Sequence, residues 1–218
     1  MSHLRRCAIF TLLVLALGAL LHAMAAGGEL LFHDGFDDPG SHWTRYTDAE
    51  CEYAYEDGRY TLAVAERGWL YWVWAPYEGF PVVFQASVQA YSVGWSSGGW
   101  GLLWGIDDDN FYLFRVTTNG EYAVDVMAEG VWQPSPVPLT HGAPLNQGLQ
   151  AENRQLSKEN EIRVEASTDL VTLWVEGTMI AQVPIPSLGP GRIGLAVQTM
   201  GDPNYTVSFD EFRVFALD

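Results

Sequence analysis

Three strand-like runs with a period of two sit between Gly94 and Trp132. In a first run Leu102, Trp104 and Ile106 alternate with Gly101, Leu103 and Gly105. In a second, Tyr112, Phe114 and Val116 alternate with Phe111, Leu113 and Arg115. In a third, Tyr122, Val124 and Val126 alternate with Glu121, Ala123 and Asp125. Period two over successive runs predicts antiparallel strands with one face buried. Asn119-Gly120 separates the last two runs and suits a tight turn needing positive φ.

The same pattern extends both ways. Leu30-Leu31-Phe32 predicts a short first strand, Asp34 to Gly40 an acidic turn, and Ser41 to Tyr46 a second short extended piece. Tyr53 and Tyr55, the Asp57-Gly58 turn, and Tyr60, Leu62 and Val64 predict a hairpin. Trp69 to Trp74 is apolar on both phases: Leu70, Trp72 and Trp74 point one way, and Trp69, Tyr71 and Val73 the other. Such a strand is buried on both sides or lines a ligand surface. After Pro81, Val82, Phe84, Ala86, Val88 and Ala90 form a core phase, with Gln85, Ser87 and Gln89 facing outward. Strands resume at Glu161 and run through Ile162–Ala166, Val171–Val175, Met179–Val183 and Ile193–Thr199. In the last strand the apolar phase slips between Phe209 and Phe212, predicting a bulge or bend near Asp210. Between these blocks, 134–159 reads as a long loop insertion. It holds Pro134, Pro136, Pro138 and Pro144, and Leu145, Leu149 and Leu156 at helical spacing allow at most one short helix. About a dozen short strands with almost no helix signal predict an all-β, two-sheet antiparallel sandwich.

Residues 1–25 stand outside this pattern. Arg5-Arg6, an uncharged apolar run from Cys7 to Leu21 and Ala23-Met24-Ala25 read as a cleaved secretory signal peptide. The run is short for a membrane span, so no stable membrane insertion is expected after cleavage, and the single domain 26–218 would be secreted, periplasmic or in the cell envelope. Cys51 is then the only cysteine left, and it reads as a packed core residue.

Composition sharpens this. The net charge of −16 argues against nucleic acid and anionic membranes as partners and favours neutral ligands or cations, or simply solubility. Of nine tryptophans, only Trp174 lies beyond Trp132.

The order of these strands resembles the concanavalin A-like lectin/glucanase jelly rolls, in particular laminin-G-like and keto-disaccharide-hydrolase-like domains of exported bacterial proteins. The likeness rests on Leu31-Phe32-His33-Asp34-Gly35-Phe36-Asp37, Asp57-Gly58-Arg59-Tyr60, Gly99-Trp100-Gly101-Leu102-Leu103 and 108–116. It continues through 160–166, 173–177, 191–197 and 209–214. It implies the jelly-roll fold and a concave, ligand-facing side that includes Arg115. This fold hosts lectins, glycosidases and adhesion modules alike. One departure matters: the glucanases carry two glutamates flanking an aspartate on one strand, and no strand here does.

Candidate chemistry follows from side-chain type. Indole and phenol faces stack on the C–H faces of sugar rings, so Trp72, Trp74, Trp95, Trp100, Trp104 and Tyr112, on or beside neighbouring strands, are candidate ligand-binding residues, each with core packing as the competing role. Trp95 and Trp100 flank the Ser-Ser-Gly-Gly loop, which favours their exposure. Arg115 could donate to sugar hydroxyls or a carboxylate sugar, or instead pair with Asp125. Asp34 and Asp210, on first and last strands that lie side by side in the resembled fold, could share a structural calcium, with Asp37 and Asp38 nearby. Asp107-Asp108-Asp109-Asn110 is another acidic loop, but Phe111 breaks the EF-hand pattern. His33, His42 and His141 show no metal spacing, and no acid pair stands out as catalytic; Glu121/Asp125 and Glu50/Glu52 merely share faces. The expected function is a non-catalytic, lectin-like module whose partner is a polysaccharide or glycan. A glycoside hydrolase or keto-glycoside-processing enzyme of the same fold, and an adhesion module without a sugar site, are the competing readings.

Overall fold

The computed structural model describes residues 28–93, 98–145, 159–201 and 203–218. The signal-peptide reading, Trp95 and the possible helix through Leu149 and Leu156 lie outside them. The described residues contain no helix. They form β1 (Glu29–Asp34), β2 (Tyr46–Thr47), β3 (Cys51–Glu56), β4 (Arg59–Val64), β5 (Leu70–Trp74), β6 (Phe84–Val93), β7 (Gly98–Asp107) and β8 (Asn110–Thr117). The order continues through β9 (Glu121–Ala128), β10 (Val131–Trp132), β11 (Val137–His141), β12 (Asn160–Ala166), β13 (Leu170–Val175), β14 (Thr178–Pro184), β15 (Arg192–Thr199) and β16 (Tyr205–Ala216).

Two antiparallel sheets result. The major sheet has nine strands, in the order β14-β13-β12-β6-β16-β4-β3-β2, with β1 also on β16; the minor sheet has seven, in the order β10-β9-β8-β7-β15-β5, with β11 also on β9. β4 pairs the first half of β16 and β1 the second half, so both ends of the folded chain meet on one long strand. Between the sheets lies one core. It takes Tyr60, Leu62, Ala86, Val88, Ile162, Val164, Val207 and Phe209 from the major sheet, and Trp100, Leu102, Phe114, Val116, Val124, Leu195 and Val197 from the minor one. These are the period-two positions of the sequence, because successive strand residues face opposite sides.

Turn chemistry sets the register. Asp57-Gly58, Glu129-Gly130 and Glu176-Gly177 each place both residues at positive φ between paired strands, as two-residue hairpins of the right twist require. Asn119-Gly120 differs: only Gly120, at φ 74°, is left-handed, and its N–H donates to Thr117 O in a three-residue loop. The slip near Asp210 is a β-bulge between Asp210 and Arg213, with Glu211 at φ 52°. A second irregularity, between Gly105 and Asp107, leaves Ile106 exposed despite its core phase.

The reading of 134–159 as loop needs correction in its first part. β11 continues β10 along the free edge of β9, pairing Val137 with Val124 and Thr140 with Tyr122. Pro138 is tolerated because an edge strand has one side on which no N–H is needed. Cys51 is buried and free, as its alternating run implies.

Candidate functional site

The outer face of the minor sheet separates the predicted aromatic residues into two populations. On β5, Tyr71 and Val73 turn toward the core, so Leu70, Trp72 and Trp74 turn outward. On β8, Phe111, Leu113 and Arg115 turn outward for the same reason. The two strands between, β15 and β7, present Gly194, Ala196, Gly101 and Gly105 on this face, with Leu103 the one bulky apolar side chain among them. Those glycines are required as well as small. A Cβ on Gly101 would sit 2.0 Å from Phe114 O, and one on Gly194 2.2 Å from Val73 O, so alanine would push adjacent strands apart.

With little bulk between them, Trp72 and Trp74 reach across two strands to Phe111, at ring-centroid distances of 5.3 and 6.2 Å. Trp132 approaches Phe111 from the opposite edge at 5.8 Å and an interplanar angle of 90°. Phe111 is thereby sealed, at 0% exposure, while Trp132 remains 49% exposed. Leu103, Leu113, Met127 and Ala196 complete a small second apolar cluster outside the main core. What reaches solvent is a layer of indole surface with apolar support beneath it.

Asp108 pins this layer. One of its oxygens, Oδ1, accepts the indole N–H of both Trp72 and Trp74, each at 2.8 Å. It sits in the turn between β7 and β8, whose other residues build the turn. Asp107 Oδ1 accepts from Asp109 N and Asn110 Nδ2, which holds the Asp107 carboxyl below its usual range, with the Asn110 bond the larger cause. Asn110 Oδ1 accepts from Glu129 N, and Asp109 O from Gly130 N, tying this turn to the β9–β10 turn that carries Trp132. Two arginines border the layer, each with a carboxylate partner. Arg192 lies 5.3 Å from the Trp74 ring centre and 3.3 Å from Glu78. Arg115 Nε lies 2.5 Å from Asp125 Oδ2, while its buried Nη1 has no hydrogen-bond partner among the described residues. The Asp125 pairing and the outward position of Arg115 are both realised.

The other predicted site residues lie elsewhere. Trp100 is 3% exposed and stands edge-on to Phe209 in the core, so the exposure expected from its neighbouring loop does not occur. Trp104 and Tyr112 are also core, ring against ring at 5.6 Å, with Tyr112 OH donating to Pro186 O; burial pushes that phenol's pKa up. The physical reason is strand parity: Trp100, Trp104 and Tyr112 share the phase of Leu102 and Phe114, which faces the opposite sheet. Trp95 falls outside the described residues.

Asp34 and Asp210 do not form the expected oxygen set. Asp34 is buried and spends its two oxygens on Phe36 N, at 2.7 Å, and Trp43 Nε1, at 2.9 Å. Asp210 faces the outer side of the major sheet, 3.8 Å from Arg59. Among the described residues no group of three or more His, Cys, Asp or Glu is arranged to hold a metal.

That outer side of the major sheet is polar. Asp210, Gln89 and Glu161 stand in one cross-strand row. Beside it an open hollow of about 370 Å³ is lined by Gln89, Glu159, Glu161, Glu176 and Gly177. Burial pushes both carboxyls up, against Arg163 for Glu161 and against the Glu211 N–H and Arg59 for Asp210. Arg163 and Arg59 each lie 4.2 Å over an aromatic ring, Trp174 and Tyr91.

Sequence reasoning missed Asp108, Phe111, Leu113, Met127 and Trp132. A signal was present: Phe111 and Leu113 are apolar on the phase opposite the core, which marks a strand covered on both faces.

No protein-family model matches the chain, and no curated protein matches it. Solved structures do. The carbohydrate-binding module CBM66 from Bacillus subtilis superposes with a TM-score of 0.55 at 12% identity, covering 84% of this chain and 96% of that one. A Bacillus licheniformis β-glucanase gives 0.60 at 10% identity, covering 88% and 99%. A Bacillus subtilis protein of unknown function with a galectin-like fold gives 0.58 at 11%, covering 86% and 96%. Such identities speak for fold alone. No helix among the described residues is long and apolar enough to cross a membrane. In fold, the chain is a concanavalin A-like jelly-roll sandwich.

Proposed function

We propose that this chain is an exported, non-catalytic carbohydrate-binding module that holds a glycan against the outer face of the minor sheet. The observation that carries the reading is the indole layer of Trp72, Trp74 and Trp132, backed by the sealed ring of Phe111 and framed by polar groups. Flat apolar rings edged by donors and acceptors suit sugar rings, whose C–H faces stack and whose hydroxyls hydrogen-bond. Export agrees with the leader-like residues 1–25. Fold neighbours that are a carbohydrate-binding module and a β-glucanase lend support. The test is affinity electrophoresis of residues 26–218 through gels of different polysaccharides. Retardation that Trp132→Ala abolishes without unfolding the protein upholds the reading; a folded protein retarded by no glycan sinks it.

A second reading has its own observation. Glu161 and Asp210 stand two strands apart across Gln89, about 9.5 Å between backbones, a separation compatible with an inverting acid/base pair of roughly 6.5–9.5 Å between carboxyls. Both carboxyls are pushed up, as a general acid requires. Under this reading the polysaccharide around the electrophoretic band is degraded, and Glu161→Gln stops the loss.

A further inference from the structure

We propose that Asp108 is the positioning residue of the outer-face site and that its charge makes that site select neutral over acidic glycans. The inference rests on the reading of this face as glycan-binding and names its ligand class.

The positioning half follows from geometry. Trp72 and Trp74 sit on β5, an edge strand that among the described residues has no neighbour on its far side to hold long side chains. Indole N–H groups on a surface ordinarily turn to water. Here both point inward across the sheet to a single carboxylate oxygen 34 and 36 residues away in sequence. Two charge-assisted bonds converging on one atom restrict each indole to one pose, and a pre-set stacking surface binds without losing rotamer freedom at the moment of contact. The anchor is itself fixed, because Asp107, Asp109 and Asn110 bond the turn internally and to the Glu129-Gly130 turn.

The selectivity half follows from a charge census of the same face. Asp108 carries its charge where the indoles meet, with Asp107, Asp109 and Glu129 beside it in the two linked turns. Among the described residues the cations at the face are Arg115 and Arg192, and each already has a carboxylate, Asp125 or Glu78. An incoming carboxylate or sulfate therefore meets no uncompensated cation and must approach Asp108; an uncharged ring carries no such cost.

Asp108→Asn separates the two roles, since an amide oxygen still accepts from both indoles but carries no charge. Asp108→Ala removes both. The probes are hydroxyethylcellulose against carboxymethylcellulose, and dextran against dextran sulfate, each pair sharing a backbone. Wild type is expected to bind the neutral member better. Asp108→Asn should retain more neutral affinity than Asp108→Ala and cut the neutral-to-acidic ratio about threefold or more at low salt, with the change fading as salt rises. Asp108→Ala should lose about tenfold in neutral affinity while the thermal midpoint stays within a few degrees. Asp169→Asn removes the same charge from the exposed β12–β13 turn and should leave the ratio unchanged. A ratio unmoved by Asp108→Asn, or moved equally by Asp169→Asn, overturns the selectivity claim. Positioning is read without ligand: Asp108→Ala, but not Asp108→Asn, should redden tryptophan emission and raise acrylamide quenching. Unchanged quenching in Asp108→Ala overturns positioning. A wild type that binds neither member of either pair overturns the glycan reading and the selectivity with it, while the quenching result still decides what Asp108 does to the indoles.

Discussion

The two outer faces of this sandwich are made by the same period-two rule and end up chemically opposite. On the minor sheet the non-core phase carries Trp72, Trp74, Leu103, Phe111, Leu113 and Met127, which gather into an apolar layer. On the major sheet it carries Gln89, Glu161, Arg163, Asp210 and Arg213, which solvate and pair. A solvated face is the ordinary outcome for an antiparallel sheet with one buried side. An apolar layer on the other side is a second cluster apart from the main core, and its indoles stay at the solvent boundary. Surplus aromatic surface at the solvent boundary is where binding is expected. The major face carries the two carboxyls that burial pushes up, Glu161 and Asp210, so the acid chemistry and the stacking chemistry lie on different sheets.

The strongest test of this comparison is to remove what supports the layer. Phe111→Ala should cost about 3–5 kcal/mol in urea unfolding, because a fully sealed ring leaves a cavity under three indoles. Trp100→Ala should cost a similar amount, about 3–5 kcal/mol, since that ring is core; near-neutral stability would place it in solvent instead. Gly101→Ala should cost about 1–3 kcal/mol, measured by the same unfolding curve, because the new Cβ meets Phe114 O at 2.0 Å and the strands must separate. Trp132→Ala should behave oppositely, costing about 1 kcal/mol or less in stability yet lowering glycan retardation about tenfold. A loss of stability equal to that of Phe111→Ala would make Trp132 structural and dissolve the contrast.

The smallest effect belongs to the major face. Burial raises the Glu161 carboxyl in the fold above its ordinary value of 4.5, opposed by Arg163 and reinforced by Glu176. The folded state then holds the proton more tightly than the unfolded chain, so this residue costs stability above its folded pKa. The cost fades as pH falls through that value and is gone below its ordinary one. Glu161→Gln should therefore raise the thermal midpoint slightly at pH 7 and leave it unchanged near pH 4. A gain that persists at pH 4 would assign the effect to packing.

Legibility in the sequence varied with the kind of constraint. The hairpins at Asp57-Gly58 and Glu176-Gly177 and the bulge at Asp210 could be read directly, because turn residues and phase slips are local. The strand at Val137–His141 could not, because Pro138 argues against a strand wherever both edges are paired, and only its edge position excuses it. Among the aromatic residues, the alternation puts Trp72 and Trp74 on one phase of β5 without saying which phase faces out, whereas Trp100, Trp104 and Tyr112 share the parity of Leu102 and Phe114, the phase that the fold turns into core. Asp34 and Asp210 were brought together by strand adjacency alone. Neighbouring strands do sit side by side, but Asp34 spends its oxygens on Phe36 and Trp43 while Asp210 faces the outer side of the sheet.

By itself the sequence determined the all-β class, the strand phases and the positions of the tight turns, since these depend on side-chain alternation and on local φ preferences. Tertiary structure alone decided which of two apolar phases became core, because that choice depends on the sheet each strand joins. It also decided that an aspartate in the β7–β8 turn meets two indoles of an edge strand, a contact between residues 34 and 36 positions apart that no spacing rule specifies.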